Sequence, residues 1–347
     1  MGSVVVVADV DSLFVTVDQR HFTTSRGIGV MVRRRLMLLI PVCGVVSLGL
    51  FAAAAVSPFD PLVGYLGTRY TTTTEADKAS MTAALGLDRP WFVAYWQWLQ
   101  GVVTGDLGQS RSYGQPVSQV LVERIPWTML LAGVALTAAV AIAFTVGIVA
   151  GIRAGGRLDR FVGTACITVQ GVPPFVLSLA AIAVFSLGLG WLPVAGISDG
   201  GSDPTVGGVL RHLLLPASVL ALSQVPWLLL SVRESIVSAR GEDFVAGAVA
   251  RGIPTAQITR RHIVPAASAP FVNVVGVRLP ELVVGAVLVE EIFGWPGVAG
   301  AVVQSARDLD MPLLAVLTLG TTVAVMLGSL LADVLVVRLD PRVRADG

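Results

Sequence analysis

Arg278 and Glu281 are the residues whose types and spacing come nearest to chemistry: opposite charges three apart, with Pro280 between them, in the middle of an apolar run. On a helix that spacing puts both side chains on one face, where they can pair. A charge at bilayer depth costs about 2.5–3.5 kcal/mol on insertion scales, so such a residue turns to a bundle interior or a wet cavity and finds a partner. Two readings stand open here, an internal ion pair and the lining of a translocation pathway. The second candidate is Glu242-Asp-Phe-Val-Ala-Gly-Ala-Val-Ala-Arg-Gly252, followed by His262-Ile-Val-Pro265, a polar stretch between two long apolar runs. Asp243 opens it, Ala246, Gly247, Ala248 and Ala250 keep a surface flat, and Phe244 is a single large knob. Gly252 holds the place of the residue that stops a helix, and Pro254 bars continuation. Its chemistry is docking: a short helix at a membrane surface, shaped to enter a groove on a partner.

Covalent chemistry has little to stand on. Lys78, the only lysine, lies in Glu75-Ala-Asp-Lys-Ala-Ser80, without the glycines of a P-loop, whose lysine reaches the outer phosphates. ATP hydrolysis is therefore not expected on this chain. Cys43 and Cys166 sit in apolar runs, far from C-x-x-C spacing, and read as small buried thiols. His21, His212 and His262 are scattered and form no H-E-x-x-H, so no metal or cofactor is expected. There is no G-x-S-x-G and no pair of carboxylates on one helix face, so the chain does not read as an enzyme. A net charge of +1 argues against a nucleic-acid binder.

The elements that must position these residues are membrane spans. The chain is 54% hydrophobic and 14% charged, where soluble domains carry about a quarter charged residues. Six apolar segments, about 36–56, 128–150, 161–189, 212–232, 267–289 and 312–337, are long enough to cross a bilayer, which takes about 20 residues. Arg33 to Arg35, Arg153, Arg157, Arg160, the set Arg233, Arg240, Arg251, Arg260 and Arg261, and Arg338, Arg342 and Arg344 fall on one side, against Arg211 and Arg307 on the other. The positive-inside rule then makes both termini and the 233–266 loop cytoplasmic. The first external connection, about 57–127, carries Asp88 as a helix cap, Pro90 in the first turn and Gly101 as the stop, with Trp91, Phe92, Tyr95, Trp96 and Trp98 as an aromatic cluster at the lipid interface. Thr74 is a candidate N-cap for the turn after it, and Pro173-Pro174 must kink the third segment. Residues 1–30 show no sustained amphipathic period and read as a disordered extension or an upstream start, with the membrane domain over 31–347.

The 242–265 stretch resembles the EAA loop of binding-protein-dependent ABC importer permeases, most nearly the dipeptide and oligopeptide branch: an acidic-aromatic start, a small-residue run, Arg251-Gly252, and Pro265 thirteen positions after the glycine. Gly86-Leu-Asp-Arg-Pro90, Gly105-Asp-Leu-Gly-Gln-Ser110, Trp191-Leu-Pro193, Glu290 with Ile292-Phe293 and Trp295-Pro-Gly297, and Asp340-Pro-Arg-Val-Arg344 follow in the family's order, from about Met31 to Arg344. The resemblance implies an all-α, six-span permease of the type I importer fold in the plasma membrane. It implies a second, similar permease subunit, two ATP-binding subunits and an extracytoplasmic substrate-binding protein as partners. Asp243, Phe244, Ala248, Ala250, Arg251, Gly252 and Pro265 would form the coupling element, and Phe293 and Trp295 would anchor a surface segment at the external mouth. Two departures limit the transfer: the family usually has a basic or polar residue near Ala246, and neutral residues at the positions of Arg278 and Glu281. Relatives also move nickel and other small solutes. A self-sufficient secondary transporter, the rival class, would show broken repeats around ion-coupling carboxylates and need no docking loop.

Overall fold

The computed structural model describes residues 25–58, 60, 62–84, 87–200 and 203–339. Of the disordered extension expected over 1–30, residues 1–24 lie outside the described residues, as do the Asp340–Arg344 motif and Gly86, while residues 25–30 are helical and open α1. The described chain is helical apart from one two-stranded hairpin, β1 (Gln109–Ser110) and β2 (Gln115–Pro116). Before it come α1 (Ser25–Ala55), α2 (Leu62–Leu66), α3 (Glu75–Ala84) and α4 (Trp91–Thr104). After it come α5 (Val117–Ile152), α6 (Arg157–Gln170), α7 (Pro174–Ala181, continued as a π-turn to Gly188), α8 (Val206–Arg240), α9 (Asp243–Ala250), α10 (Thr255–Ile258), α11 (Val264–Ile292), α12 (Val298–Arg307) and α13 (Met311–Leu339).

Five helices among the described residues are long and apolar enough to span a bilayer, and the α6–α7 pair makes a sixth if counted as one. In that pair the break expected at Pro173-Pro174 is sharper than a kink. Its arms meet at 101°, because Pro174 opens a new helix and neither proline of the break has an N–H to continue the old one. On α6 the buried residues Asp159, Val162 and Cys166 form one stripe, while Phe161 and Ile167 are exposed.

Helix α8 is the hub. Two thirds of its most apolar stretch is buried, against 11 to 28% for the other long helices, and its partners are α5 on one side and α11 on the other. The α5–α8 contact rests on Gly147 and Gly151, one turn apart. A Cβ at Gly147 would sit 2.8 Å from Val232 Cβ and 2.9 Å from the Leu229 carbonyl; at Gly151 it would sit 2.7 Å from Ile236 Cβ and 2.9 Å from the Arg233 carbonyl. This is the small-xxx-small approach by which apolar helices gain packing where lipid offers no hydrophobic drive. Gly276 makes the same kind of contact with Ala332 between α11 and α13. At the α9 end of the bundle Arg240 donates to the Gly151 and Ile152 carbonyls (3.3 and 2.6 Å), satisfying the last turn of α5. Arg233 forks onto Asp159 through Nε and Nη2 (2.6 and 2.9 Å), which fixes the α5–α6 turn against α8.

The membrane-flanking helices depart from expectation in detail. Pro90, not Asp88, is the N-cap of α4, and the helix runs through Gly101 to stop at Gly105 in the left-handed region (φ 87°). Gly101 is needed for another reason: a Cβ there would lie 2.9 Å from the Asp106 carbonyl. The aromatic residues do not form one cluster. Tyr95 and Trp98 pack on Phe51 of α1 (centroids 5.4 Å each), while Trp91, Phe92 and Trp96 are exposed. Thr74 does cap α3, accepting from the Asp77 N–H at 3.2 Å and donating to its carboxylate at 2.7 Å. Helix α5 starts at Val117, eleven residues before the apolar run, because Val117 and Val120 are buried against Ala301, Leu313 and Leu317.

Candidate functional site: the inter-span helix and the charges of α11

Helix α9 is a separate eight-residue helix set between α8 and α11. It starts after Glu242 in an extended conformation and ends at Arg251. Gly252 follows at φ +74°, and the Ile253 N–H turns back to the Ala248 carbonyl at 3.2 Å, closing the cap. Asp243 at the first position favours the positive end of the helix. Ala246, Gly247 and Ala250 are exposed, and so are Asp243, Arg251 and Gly252. Ala248 alone is turned inward, 2% exposed, where it joins Ile258 and the half-buried Val245 and Ile253. Phe244 is 38% exposed, its ring 6.3 Å from that of His262. Arg251 folds back, its Nε donating to the Gly247 carbonyl at 3.2 Å. Pro265 lies in the first turn of α11, after a π-turn over Thr259–Ile263. A wide turn there is natural, because a proline offers no N–H to close the normal one.

Arg278 and Glu281 come together as an ion pair across one turn of α11. The pair is unequal. Arg278 has a side chain only 14% exposed, and its guanidinium lies 3.9 Å above the Trp227 ring of α8, a cation–π contact. Glu281 is 59% exposed on the open face shared with Val277 and Val284. A double-mutant thermal cycle is therefore expected to be non-additive. Arg278→Met should destabilise more than Glu281→Gln, because it strands the carboxylate on an apolar face, whereas Glu281→Gln leaves the cation on its ring. Both losses should stay below the roughly 3–5 kcal/mol of a fully buried broken pair, and the double variant should recover much of the loss. Strict additivity in melting temperatures would show that the two groups act independently.

The end of the bundle opposite α9 holds what sequence reasoning misjudged. Phe293 and Trp295 were expected to anchor at an interface, but both are 2% exposed. Trp295 Nε1 donates to the Trp127 carbonyl at 2.9 Å, and the two indoles meet edge to face. Glu290 is 1% exposed, and its Oε2 accepts the Ala299 N–H at 2.9 Å, so it caps α12 from one helix away. Gly297 must lack a side chain because a Cβ would run into that carboxylate. Thr128 Oγ1 accepts the Val298 N–H at 2.9 Å. The β1–β2 hairpin docks nearby: Asp310 Oδ2 accepts from Ser110 Oγ (2.7 Å) and the Ser112 N–H (3.0 Å) at the head of α13. The G-x-x-x-G spacing of Gly147 and Gly151 was a readable signal of helix contact that sequence analysis passed over.

A multi-pass bundle of apolar helices that offers a short, exposed, capped helix between two of its longest spans is the architecture of a transport-system membrane subunit. The chain belongs to the family of binding-protein-dependent transport system inner membrane components, which it matches over residues 143–345. It is 30% identical over 311 residues to the oligopeptide transport system permease protein AppB of Bacillus subtilis, covering 89% of this chain and 98% of that one. It is 32% identical over 318 residues to a putative peptide transport system permease protein of Brucella abortus, covering 91% of this chain and 99% of that one. Among solved structures, it superposes on a chain of the inward-facing MetNI methionine ABC transporter with a TM-score of 0.53 and 16% identity, over 64% of this chain and 97% of that chain, a likeness of fold.

Proposed function

We propose that this permease subunit imports dipeptides or oligopeptides, with a second permease, two ATP-binding subunits and an extracytoplasmic binding protein completing the transporter. The peptide reading leans on its relatives, several of which are named as peptide permeases. The single observation that carries the coupling role is α9: an isolated helix, capped at Gly252, whose Phe244 and small residues stand exposed while one alanine pins it to the bundle. In this reading Asp243, Phe244, Ala250 and Arg251 meet an ATP-binding subunit, Ala248, Gly252 and Pro265 hold the helix in place, and α9 and both termini are cytoplasmic. ATP is hydrolysed on the partners. The open face of α11 around Glu281 lines the pathway, since a half-exposed carboxylate there needs water or protein beside it and not lipid. The test is to tag the chain in its native host, purify it in mild detergent and identify its companions, beside uptake of labelled di- and tetrapeptides in a deletion strain. An ATP-binding subunit in the complex and lost peptide uptake are expected. Companions without an ATPase would sink the coupling role, and unchanged peptide uptake would sink the substrate class.

A further inference from the structure

The junction of α5 and α6, at the α9 end of the bundle, gathers arginines that the fold leaves without a countercharge. The basic residues at this end fall into two sets. Arg233 is committed to Asp159 and Glu234 (2.6 and 3.1 Å), and Arg251 folds onto the Gly247 carbonyl. Arg153, Arg157 and Arg160 are exposed, and among the described residues no ion pair joins any of them to a carboxylate. Arg160 reaches only the Gly155 carbonyl, at 3.3 Å. Asp159, the one acidic residue of α6, is buried, its oxygens taken by Arg233 and the Gly155 N–H. Arg240 adds a fourth exposed cation, seated on the Gly151 and Ile152 carbonyls directly before Arg153.

The same surface is apolar where the arginines end. Arg157 and Arg160 are three apart and share a face of α6. Phe161, one turn beyond Arg157, is 72% exposed; Ile167, two turns and about 10 Å beyond Arg160, is 67% exposed. In a multi-pass membrane chain, apolar side chains on the outside of a helix meet acyl chains. Basic groups at the bundle end, followed by an apolar ridge, repeat the order of a phospholipid: phosphate, then tail. Arginine suits the boundary, because its stem lies on apolar surface while its planar fork meets phosphate oxygens in pairs. Arg260 and Arg261 make the contrast. They are exposed at the same end, but the isoleucines flanking them, Ile258 and Ile263, are buried, so no exposed apolar ridge continues from them.

We propose that the α5–α6 junction binds an anionic phospholipid, its phosphate held by Arg153, Arg157 and Arg160 beside Arg240 and its acyl chain laid along Phe161 and Ile167. The membrane supplies the anion, since the arginines border the apolar ridge. A phosphate shared by Arg153, at the end of α5, and Arg157 and Arg160, in the first turn of α6, ties the two helices together across their turn. A ligand that binds only the folded chain raises its stability, so anionic lipid stabilises this protein more than zwitterionic lipid does. None of this depends on what the permease carries.

The experiment is native mass spectrometry and thermal unfolding of the purified full-length chain with its companion subunits, titrated with dioleoylphosphatidylglycerol or dioleoylphosphatidylcholine. The wild type should bind phosphatidylglycerol in preference and melt higher with it. An arginine near a charged membrane surface is worth about fivefold in affinity. The triple variant R153Q/R157Q/R160Q should therefore bind phosphatidylglycerol about a hundredfold more weakly, and R153K/R157K/R160K should keep most of the binding. In phosphatidylcholine the glutamine variant should melt with the wild type, because these side chains carry no ion pair in the fold. Equal binding of the two lipids by the wild type, or an undiminished preference in the glutamine variant, would overturn the site. Lower melting of that variant in both lipids would show a structural role in its place. Displacement of phosphatidylglycerol by millimolar inorganic phosphate would make this a free-anion site, and loss of a companion subunit with lipid binding intact would make it a protein contact; either result overturns the lipid assignment.

Discussion

Gly252→Val should leave a complex that assembles and inserts but transports little or nothing. Gly252 sits at φ +74°, where a β-branched residue pays roughly 1–2 kcal/mol for its Cβ against the following carbonyl. Nothing lies within 4 Å of the Cβ position, so the substitution meets no neighbour and the strain is purely of backbone. The cheapest relief is to abandon the left-handed turn. That breaks the Ile253-to-Ala248 bond and changes the angle at which α9 leaves the bundle, while the long helices are untouched. The measurement is transport in reconstituted vesicles beside basal ATP hydrolysis and its stimulation by loaded binding protein. Loss of transport and of stimulation with basal hydrolysis kept is expected. Gly252→Ala should fall between, and normal transport by Gly252→Val would exclude α9 as the coupling element.

Gly151→Val should be the more damaging change to the fold itself. A Cβ alone would lie 2.7 Å from Ile236 Cβ and 2.9 Å from a backbone carbonyl, and a carbonyl in mid-helix cannot move aside. Overpacking of this kind costs typically 1–3 kcal/mol and occasionally more. Here it also separates α5 from α8, so Arg240 loses the Gly151 and Ile152 carbonyls. Yield in the membrane and the thermal midpoint of the purified complex should both drop sharply. The same substitution at Gly133, which has nothing within 4 Å, should be nearly silent. Equal behaviour of the two variants would show that close α5–α8 contact is not what holds the bundle.

The sequence by itself determined the membrane character, the approximate spans, the short helix with its stop at Gly252, the cap at Thr74 and the shared face of Arg278 and Glu281. These are local matters. In lipid a helix must satisfy its own backbone, a left-handed turn asks for glycine, and residues three apart share a face whatever surrounds them. Hydropathy started α5 eleven residues late, because Val117 and Val120 are held by residues nearly two hundred positions away. Phe293 and Trp295 look like interfacial anchors in a list of residue types, and only their packing into the main core, with Trp127 against Trp295, buries them. A double proline signals a break but not its angle; the 101° turn belongs to what α6 and α7 each pack against. His212 is one scattered histidine among three until tertiary structure sets its two nitrogens against Ala195 and Asp199. Partners remote in the chain decide burial and contact, and a single sequence carries no record of which partners those are.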